Sequence, residues 1–254
     1  MTDPSLRLDQ ALVARGLVPT RARARDAILR GHVRVAGRLA DKPGTSVPHD
    51  AELAIDDPAS AYVSRAALKL VAGLDAFGYD PAGRVALDLG ASTGGFTQVL
   101  LERGAARVHA FDVGHGQLHP ALAADPRVVS REGFNVRDLT AAEIGEPVGA
   151  VVSDLSFISL RLGLPPALTL AAPGAFLVAL IKPQFEVGRA HVGKGGLVRD
   201  GAAIDAAVEG IRAFVAATPG WIVEGVAPSP ITGGDGNREF LIGARKKGGG
   251  GAGA

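Results

Sequence analysis

The chain has 254 residues, 47% of them hydrophobic, with 27 Lys and Arg against 26 Asp and Glu. This length allows one large domain or a small domain joined to a mid-sized one, and the ordinary apolar fraction excludes a globally disordered chain. The absence of cysteine excludes disulfides, thiolate metal sites and cysteine nucleophiles. Residues 1–10 show no basic segment followed by an apolar run, so we expect no secretory signal and a cytoplasmic location.

The net charge of +1 conceals a basic amino-terminal segment. Residues 7–47 contain nine basic and three acidic residues, a net charge of +6, so the rest of the chain carries −5. A small basic module attached to a mildly acidic body indicates that the amino-terminal segment binds a polyanion.

Residues 1–58 are predicted to form a small α+β domain. Apolar residues at near-helical spacing predict a first helix that ends at Gly16, and Thr20 is a typical N-cap for a second helix over 21–30. Shorter elements follow, namely a strand at 33–35, a strand at 51–55 and a polar linker at 56–60.

Residues 59–247 alternate between helical and strand patterns. The predicted elements are a helix at 64–78, a strand at 85–90, a helix at 96–104, strands at 106–114, 150–157 and 175–185, a helix at 203–217, and strands at 221–229 and 239–246. This alternation predicts an α/β, Rossmann-like domain with a doubly wound, mostly parallel sheet that binds ligands at the carboxyl ends of its strands. Residues 248–254 are predicted to be a flexible Gly-rich tail.

An uncharged stretch of 20 residues, 162–181, is long enough to span a bilayer. It contains Pro165, Pro166 and Pro173, which would break a single helix near its start and its middle. A short helix, a Pro-Gly turn and a buried strand therefore explain this stretch better than a membrane span.

Arginines dominate the basic segment. Arg21 and Arg25 are four residues apart and share a helix face, and guanidinium groups suit bidentate binding of phosphate. The candidate polyanion-binding residues are Arg7, Arg21, Arg25, Arg30, Arg34 and Arg38. For a charge cluster alone, a solvated basic face is the alternative.

The order of residues in this segment resembles the small RNA-binding domain named after ribosomal protein four of the small subunit. Matching positions include Leu8-Asp9, Gly16-Leu17, Thr20-Arg21 and Gly31, and Thr20 stands where the family more often has Ser. The resemblance extends over about 40 residues across two helices and a strand. It implies that the polyanion is structured RNA, ribosomal RNA in particular.

A glycine-rich turn follows the strand at 85–90 and begins a helix. Small residues in the turn let the backbone approach a ligand, and the helix N-terminus favours electron-rich groups. Asp112, at the end of the next strand, suits the two ribose hydroxyls of an adenosine, and Asn135 is a candidate for the adenine. The candidate cofactor-binding residues are Asp88, Gly90, Ser92, Gly94, Gly95, Phe96, Asp112, Asn135 and Asp154.

These features alone fit either a dinucleotide or S-adenosylmethionine. A pyrophosphate-binding turn has glycine at the position of Ser92, and Asp88 would repel a phosphate but attract a cationic sulfonium or amino group. The pattern D-x-G-x-x-x-G-G resembles the S-adenosylmethionine-dependent methyltransferases. That resemblance implies S-adenosylmethionine as the cofactor.

Four charged residues, Lys69, Asp154, Lys182 and Glu239, stand beside strongly apolar segments. Each alone is more typical of a surface or capping charge. Two lysines and two carboxylates at the same end of a sheet, however, can neutralise one another and change one another's pKa. A free lysine, with a pKa of about 10.4, is a poor base at neutral pH. Burial or a neighbouring ammonium would make it a base or an orienting donor for a hydroxyl.

Six motifs in a fixed order resemble the TlyA (hemolysin A-like) family of rRNA 2′-O-methyltransferases, whose catalytic domain is FtsJ-like. They are SRAALKL, DLGASTGGFT, SDLSFISL, IKPQFE, VGKGG and GNREF. The resemblance implies a catalytic tetrad in which Lys182 activates a ribose 2′-hydroxyl, Asp154 and Lys69 orient it, and Glu239 completes the charge network. It also implies cytidine methylation in 16S or 23S rRNA, with ribosomal subunits as partners.

Two further segments lie near the proposed chemistry. Residues 188–201 combine five glycines with three basic residues, which suits a mobile lid over RNA as well as a plain surface loop. Phe157 and Phe185 are predicted to be core residues rather than base-stacking ones.

Other classes of protein and partner are less favoured. His115 and His119 are four residues apart, but Gly116 and Pro120 argue against a helix there, so no metal site is predicted. A membrane-active haemolysin is an alternative suggested by the family's older name, and a non-catalytic RNA-binding or ribosome-assembly factor is another. We expect neither DNA nor a membrane as a partner. The sequence leaves the oligomeric state open and slightly favours a monomer.

Overall fold

The computed structural model describes residues 5–248, so the predicted tail at 248–254 lies outside this range apart from Gly248. The chain divides into two units, Met1–Ala61 and Tyr62–Ala254. These are called the amino-terminal and the carboxy-terminal unit below. Each has buried hydrophobic clusters of its own.

The amino-terminal unit packs two helices with two small antiparallel sheets. Its elements are β1 (Ser5–Arg7), α1 (Leu8–Ala14), α2 (Arg21–Leu29), β2 (Val33–Val35), β3 (Arg38–Leu39), β4 (Ser46–Pro48) and β5 (Leu53–Ile55). Strand β1 pairs with β4, and β2 lies between β3 and β5. Leu8, Leu12, Ile28 and Val33 are fully buried in its core, and burying each such side chain contributes roughly 1.5–3 kcal/mol.

Both predicted helices of this unit are confirmed. The hydroxyl of Thr20 accepts a hydrogen bond from the backbone N–H of Arg23 at 3.2 Å, so Thr20 is the N-cap of α2. Gly16 ends α1 as predicted: the last helical residue is Ala14, Arg15 is the C-cap, and Gly16 follows with a left-handed φ of 68°. The predicted strand at 33–35 is confirmed as β2, whereas strands β1, β3 and β4 were not predicted from the sequence.

Within the described residues, the carboxy-terminal unit is a seven-stranded sheet with helices on both faces. Its helices are α3 (Ala67–Phe77), α4 (Gly95–Glu102), α5 (Pro120–Ala123), α6 (Leu160–Gly163), α7 (Pro165–Leu170), α8 (Pro183–Glu186) and α9 (Gly201–Ala217). Its strands are β6 (Val85–Leu89), β7 (Arg107–Phe111), β8 (Val128–Arg131), β9 (Val148–Ser153), β10 (Ala171–Ile181), β11 (Trp221–Pro228) and β12 (Phe240–Lys246).

The strand order β11-β12-β10-β9-β6-β7-β8 confirms the doubly wound, mostly parallel sheet. Strands β10, β9, β6, β7 and β8 are parallel, and β12 is antiparallel to both of its neighbours. Leu70 and Leu100 belong to the core on one face, whereas Leu168 and Ile211 belong to the core on the other. The residues that follow the parallel strands therefore meet at one edge of the sheet.

The apolar stretch 162–181 is divided among α6, α7 and β10. The predicted short helix and buried strand are confirmed, but Pro173 and Gly174 lie inside β10 instead of forming a turn before it. Gly174 has a φ of 79°, and the register of β10 against β9 shifts between Ala171 and Phe176. Across the described part of the chain, none of the helices has the length and apolarity needed to cross a bilayer.

Three strands end at least three residues earlier than predicted, and one of them is β7, which ends at Phe111 rather than at 114. Strand β9 ends at Ser153, and β10 ends at Ile181, so the predictions of strand to 157 and 185 were wrong. Pro183 begins helix α8, because proline suits the first helical position but lacks the N–H that a central strand needs. Asp154 and Lys182 consequently stand in the first positions beyond the sheet.

Gly73 lets α3 lie close to the sheet. A Cβ at this position would be 2.6 Å from Cγ1 of Val178 on β10, far inside van der Waals contact. Helix α3 also carries Lys69, so this close approach brings the lysine towards the edge where the strands end.

We predict that Gly73→Ala lowers the free energy of unfolding by about 1–3 kcal/mol, because the added methyl group must displace Val178. Urea denaturation measures the effect. Gly201→Ala is the matched control, since a Cβ there meets no atom within 4 Å, and we expect it to be neutral or stabilising by about 0.5–1 kcal/mol. Equal stability of the two variants would contradict the close packing of α3.

Candidate active site

The candidate site lies where β6, β9 and β10 end. The glycine turn after β6 passes against the backbone of Asp154, because a Cβ on Gly90 would lie 3.2 Å from the carbonyl carbon and oxygen of that residue. Gly90 also has a φ of 84°, which an L side chain rarely adopts. Glycine at this position thus places the turn and Asp154 side by side.

Lys69, Asp154, Lys182 and Glu239 form one connected ion network. Nζ of Lys69 lies 2.6 Å from Oε2 of Glu239 and 3.8 Å from Oδ2 of Asp154. Nζ of Lys182 lies 2.7 Å from Oδ1 of Asp154. Both lysines and Glu239 are buried, so each charge depends on its neighbours for compensation. The structure thus brings together all four residues that the sequence predicts as a tetrad.

Glu239 joins this network because β12 is reversed. Strand β12 begins at Phe240, which pairs with Ile181, the last residue of β10. The amino end of β12 therefore meets the carboxyl ends of the parallel strands. The residue just before β12 and the residue just after β10 consequently lie at the same edge of the sheet.

Sequence reasoning missed Ser156. Nζ of Lys182 donates to Oγ of Ser156 at 2.7 Å and to the backbone oxygen of Asp154 at 3.3 Å, in addition to its ion pair. The ammonium group is therefore held by oxygens of two residues in the loop after β9. The signal that would have found Ser156 is its place in the motif SDLSF, two residues after Asp154.

Two adjoining cavities flank Asp154. The larger, of about 510 Å³, is lined by Asp112, Val113, Gln117, Asn135, Val136, Leu155 and Ile158, among others. The smaller, of about 220 Å³, is lined by Ser64, Gly95, Phe96 and Lys182, among others. Gly90, Ser92, Asp154 and Ser156 line both. A ligand that occupies both cavities would pass directly in front of the ion network.

Comparisons with known proteins agree with this geometry. The FtsJ-like methyltransferase family matches residues 62–246, and the S4 domain matches residues 6–53. The 16S/23S rRNA (cytidine-2′-O)-methyltransferase TlyA of Mycobacterium tuberculosis is 48% identical over 93% of this chain and 88% of its own. The 23S rRNA (cytidine-2′-O)-methyltransferase TlyA of Campylobacter jejuni is 37% identical over 74% of this chain and 73% of its own.

A solved structure from Streptococcus thermophilus, described as a hemolysin, superposes with a TM-score of 0.74 at 39% identity. It covers 96% of this chain and 89% of the other. The chain belongs to the TlyA family of FtsJ-like methyltransferases. Its cofactor is accordingly S-adenosylmethionine, and its amino-terminal unit contains an S4 RNA-binding domain.

The two cavities fit this cofactor. Val113, Val136, Leu155 and Ile158 give the larger cavity apolar walls suited to an adenine. A carboxylate, Asp112, lies in the same cavity and suits ribose hydroxyls. The cavity residues supply one carboxylate, Asp112, for the ribose and another, Asp154, for a cationic sulfonium. This combination matches S-adenosylmethionine better than a pyrophosphate.

Asp112 and Asn135 line the larger cavity as predicted, and both also shape its walls. The carboxylate of Asp112 accepts hydrogen bonds from the backbone N–H groups of Ser92, at 2.8 Å, and Gly114, at 2.7 Å. Oδ1 of Asn135 accepts from the backbone N–H of Arg137 at 3.1 Å. Each carboxylate oxygen of Asp112 thus accepts one backbone bond and has a second lone pair. Oδ1 of Asn135 also accepts from Nε of Arg137 at 3.2 Å, so the amide nitrogen of Asn135 is the group that it can offer to a ligand.

Asp88 and Gly94 line neither cavity. Asp88 is fully buried, and its Oδ2 accepts a hydrogen bond from the hydroxyl of Thr97 at 2.7 Å. The prediction that Asp88 attracts a cationic ligand is therefore corrected, because its carboxylate lies behind the turn and supports α4. Gly94, with a φ of 94°, leaves room for Leu118 and Leu122. Burial raises the pKa of Asp88 to about 7, against the lowering effect of the Thr97 hydrogen bond.

Phe157 is not a core residue, so that prediction was wrong. Its side chain is 92% exposed, and its backbone has a φ of 65°, which is rare for a bulky residue. The ring lies 5.3 Å from that of Phe185, and both line a groove of about 520 Å³ with Arg137 and Leu162. The exposed Phe157, with the half-buried Phe185 beside it, therefore borders the larger cavity.

In the amino-terminal unit, five of the six predicted arginines are exposed. Arg7 and Arg21 pair with Asp9, and Arg34 donates to the backbone oxygen of Gly37. Arg25 and Arg38 have no partner among the described residues. Arg30 is only 13% exposed and pairs with both Asp26 and Asp57. Its guanidinium is already neutralised, so the prediction that Arg30 binds RNA is corrected to a structural role.

The remaining candidate features have structural roles. The side chain of Asn237, which is buried, donates to the backbone oxygen of Gly196 and accepts from the N–H of Val198, so the loop 188–201 is anchored at its centre. Nδ1 of His119 accepts a hydrogen bond from the N–H of Ala121 and so caps α5. The ring of His115 packs against Gly133, where a Cβ would lie 2.5 Å from its Nε2. Residues 5–248 contain no cluster of three His, Cys, Asp or Glu suited to a metal ion.

We predict that Asp88 makes stability fall as pH rises from about 4 to about 7. Between its ordinary pKa of 3.8 and its folded-state value of about 7, Asp88 keeps its proton in the folded chain but loses it on unfolding. The free energy of unfolding of the natural protein should therefore decrease over this range relative to that of Asp88→Asn, which keeps an acceptor for Thr97. Urea denaturation of both proteins at pH 5 and pH 8 provides the measurement, and parallel pH profiles would refute the assignment.

Proposed function

We propose that this protein methylates the ribose 2′-hydroxyl of a cytidine in ribosomal RNA. The observation that carries the proposal is the buried side chain of Lys182, which lines the smaller cavity and is held there by Asp154 and Ser156. The relatives from Mycobacterium tuberculosis and Campylobacter jejuni are named for cytidine-2′-O methylation of 16S/23S and 23S rRNA. Their names support both subunits as candidate substrates and a cytoplasmic location for the reaction.

Methylation of a hydroxyl needs alignment and the removal of one proton. When bound, S-adenosylmethionine supplies an electrophilic methyl group. The hydroxyl oxygen would form a bond to that methyl carbon as the bond between the carbon and the sulfonium sulfur breaks, and the oxygen would lose its proton. A polar group must therefore hold the oxygen in line and take up or pass on that proton. Lys182 is the residue proposed for this task because it lines the smaller cavity. It takes up the proton as the neutral amine, since an ammonium group can only hold the hydroxyl oxygen as a donor.

The other tetrad residues act on Lys182 through Asp154. The carboxylate of Asp154 contacts Lys182 through one oxygen and lies near Lys69 through the other. Glu239 pairs with Lys69 and prevents two ammonium groups from facing a single carboxylate. We therefore propose that Asp154 and Lys69 orient the reacting groups and that Glu239 balances the charge.

The substrate has to present a single nucleotide to this site. Phe157, exposed beside the larger cavity, offers a flat apolar surface on which a base can stack, an interaction that proteins commonly use for unpaired RNA. The proposed sequence-independent grip on rRNA comes from the exposed arginines of the amino-terminal unit, whose bonds to phosphate position RNA without identifying bases.

The hemolysin description is carried by a name alone. A buried ion network beside two cavities that fit a methyl-donor cofactor is the arrangement of a transferase. No feature described above favours membrane disruption over methyl transfer.

We expect Lys182→Ala to lower the rate of methyl transfer to ribosomal subunits by about a hundredfold to ten-thousandfold, because the hydroxyl loses its proton-handling group. Binding of S-adenosylmethionine, measured by calorimetry, should remain within a few-fold of the natural protein. Lys247→Ala, at an exposed position, is the matched control. Retained turnover with lost cofactor affinity would contradict the role of Lys182.

A second expectation concerns the basic surface of the amino-terminal unit. Arg21→Glu combined with Arg25→Glu should weaken binding to ribosomal subunits and reduce the slope of log affinity against log salt by about 0.7–0.9 for each phosphate group that the variant no longer binds. Arg103→Glu with Arg212→Glu makes the same charge change in the carboxy-terminal unit and serves as the control. Equal effects of the two pairs would place the RNA-binding surface elsewhere.

A further inference from the structure

Asp9 is a buried carboxylate that binds two exposed arginines. It is fully buried, whereas the side chains of Arg7 and Arg21 are 47% and 54% exposed. Nε of Arg7 donates to Oδ1 at 3.1 Å, and Nη2 of Arg21 donates to Oδ2 at 3.0 Å. Burial favours the neutral acid, but these hydrogen bonds hold the pKa of Asp9 below its ordinary value. Asp9 is thus ionised at neutral pH.

The charge balance at Asp9 is opposite to that at Arg30. Arg30 is a single buried guanidinium faced by two carboxylates, Asp26 and Asp57, so its positive charge is fully compensated inside the protein. At Asp9, one carboxylate faces two guanidinium groups, so one positive charge is left over. Because those guanidinium groups reach solvent, the excess charge is available to an external anion.

The local backbone fixes this arrangement. The N–H of Leu8 donates to the oxygen of Thr45 at 2.8 Å, and the N–H of Asp9 donates to that of Pro43 at 3.0 Å. Between these two, Gly44 leaves room for Arg7, because a Cβ there would lie 3.0 Å from Nη1 of the arginine. The guanidinium of Arg7 is therefore held against a loop that is itself bonded to the start of α1.

The unused donors complete the site. Each guanidinium has five N–H donors, and Asp9 engages only some of them. Two guanidinium groups held on one carboxylate present their remaining donors from adjacent positions, an arrangement that matches the several acceptor oxygens of a phosphate.

We propose that Asp9 is a positioning residue that holds Arg7 and Arg21 as a paired cradle for one phosphodiester of RNA. The proposal rests on the proposed RNA-binding function of the amino-terminal unit. It assigns a role in RNA binding to an acidic residue that does not itself touch RNA. It also requires that the two arginines keep a fixed geometry relative to each other, which binding by positive charge alone would not require.

The sign of one substitution tests this role. Asp9→Asn removes a negative charge, so charge alone would strengthen binding to a polyanion. Loss of the paired arginine geometry would instead weaken binding to RNA. In filter binding of the full chain to isolated 30S and 50S ribosomal subunits, we expect Asp9→Asn to raise Kd at least about tenfold, the effect of losing a hydrogen bond to a charged group. Asp41→Asn, which removes an exposed carboxylate of the same unit, should leave Kd unchanged or lower it.

A second pair of variants keeps the test valid if Asp9→Asn fails to fold. Arg7→Lys combined with Arg21→Lys keeps both positive charges beside Asp9 but removes the planar forks. We expect a Kd raised about tenfold at an unchanged salt slope, since the number of cations is the same. Arg103→Lys with Arg212→Lys, at two exposed arginines of the carboxy-terminal unit, is the matched control, and we expect it to change Kd less than about twofold because neither belongs to the basic surface of the amino-terminal unit.

The outcomes separate the cradle from the proposed reaction. Unchanged or tighter binding by folded Asp9→Asn, or equal Kd values for the two lysine pairs, would overturn the cradle and leave methyl transfer untouched. A natural protein that binds subunits but transfers no methyl group would overturn the proposed reaction, while a weakened Asp9→Asn in the same assay would still support the cradle.

Discussion

The ion network at the edge of the large sheet constrains the arrangement of the other elements in the carboxy-terminal unit. A lysine buried without a partner is costly, and Lys182 reaches the cavities only because Asp154 compensates its charge at 2.7 Å. Asp154 in turn faces Lys69, whose charge is balanced by Glu239 at 2.6 Å. Removing any one member leaves an uncompensated buried charge. This dependence explains why α3, β9, β10 and β12 have to end or begin at one edge.

Four features of the backbone meet that requirement. Parallel strands place Asp154 and Lys182 together, and the single reversed strand, β12, delivers Glu239 to the same edge. Gly73 lets α3 pack closely enough to supply Lys69, and Gly90 lets the cofactor turn touch the backbone of Asp154. The cofactor site and the catalytic network therefore share a wall. Methyl transfer, which depends on the alignment of two reactants, benefits from this shared rigid boundary.

Prediction from the sequence succeeded where a pattern reflects a repeated physical constraint. The parallel sheet, the Thr20 cap and the assembly of the tetrad follow from hydrophobic periodicity, capping chemistry and motif order. It failed where a residue's environment depends on tertiary contacts. Asp88 is buried against Thr97, Phe157 is exposed, and Arg30 is neutralised by two carboxylates, one of which, Asp57, is 27 residues away in sequence. Ser156 was missed although it stands in the motif SDLSF, because its role depends on contact with Lys182, 26 residues away in sequence.

The most direct measurement is the chemical position of the transferred methyl group. Ribosomal subunits that lack 2′-O methylation are incubated with the full chain and S-adenosylmethionine labelled in its methyl group, and the recovered rRNA is hydrolysed with alkali. A 2′-O-methylated linkage resists alkali because it has no free 2′-hydroxyl. We predict that the label is recovered in alkali-resistant dinucleotides whose 5′ residue is cytidine. Label recovered in mononucleotides would mean that a base is methylated and would contradict the account.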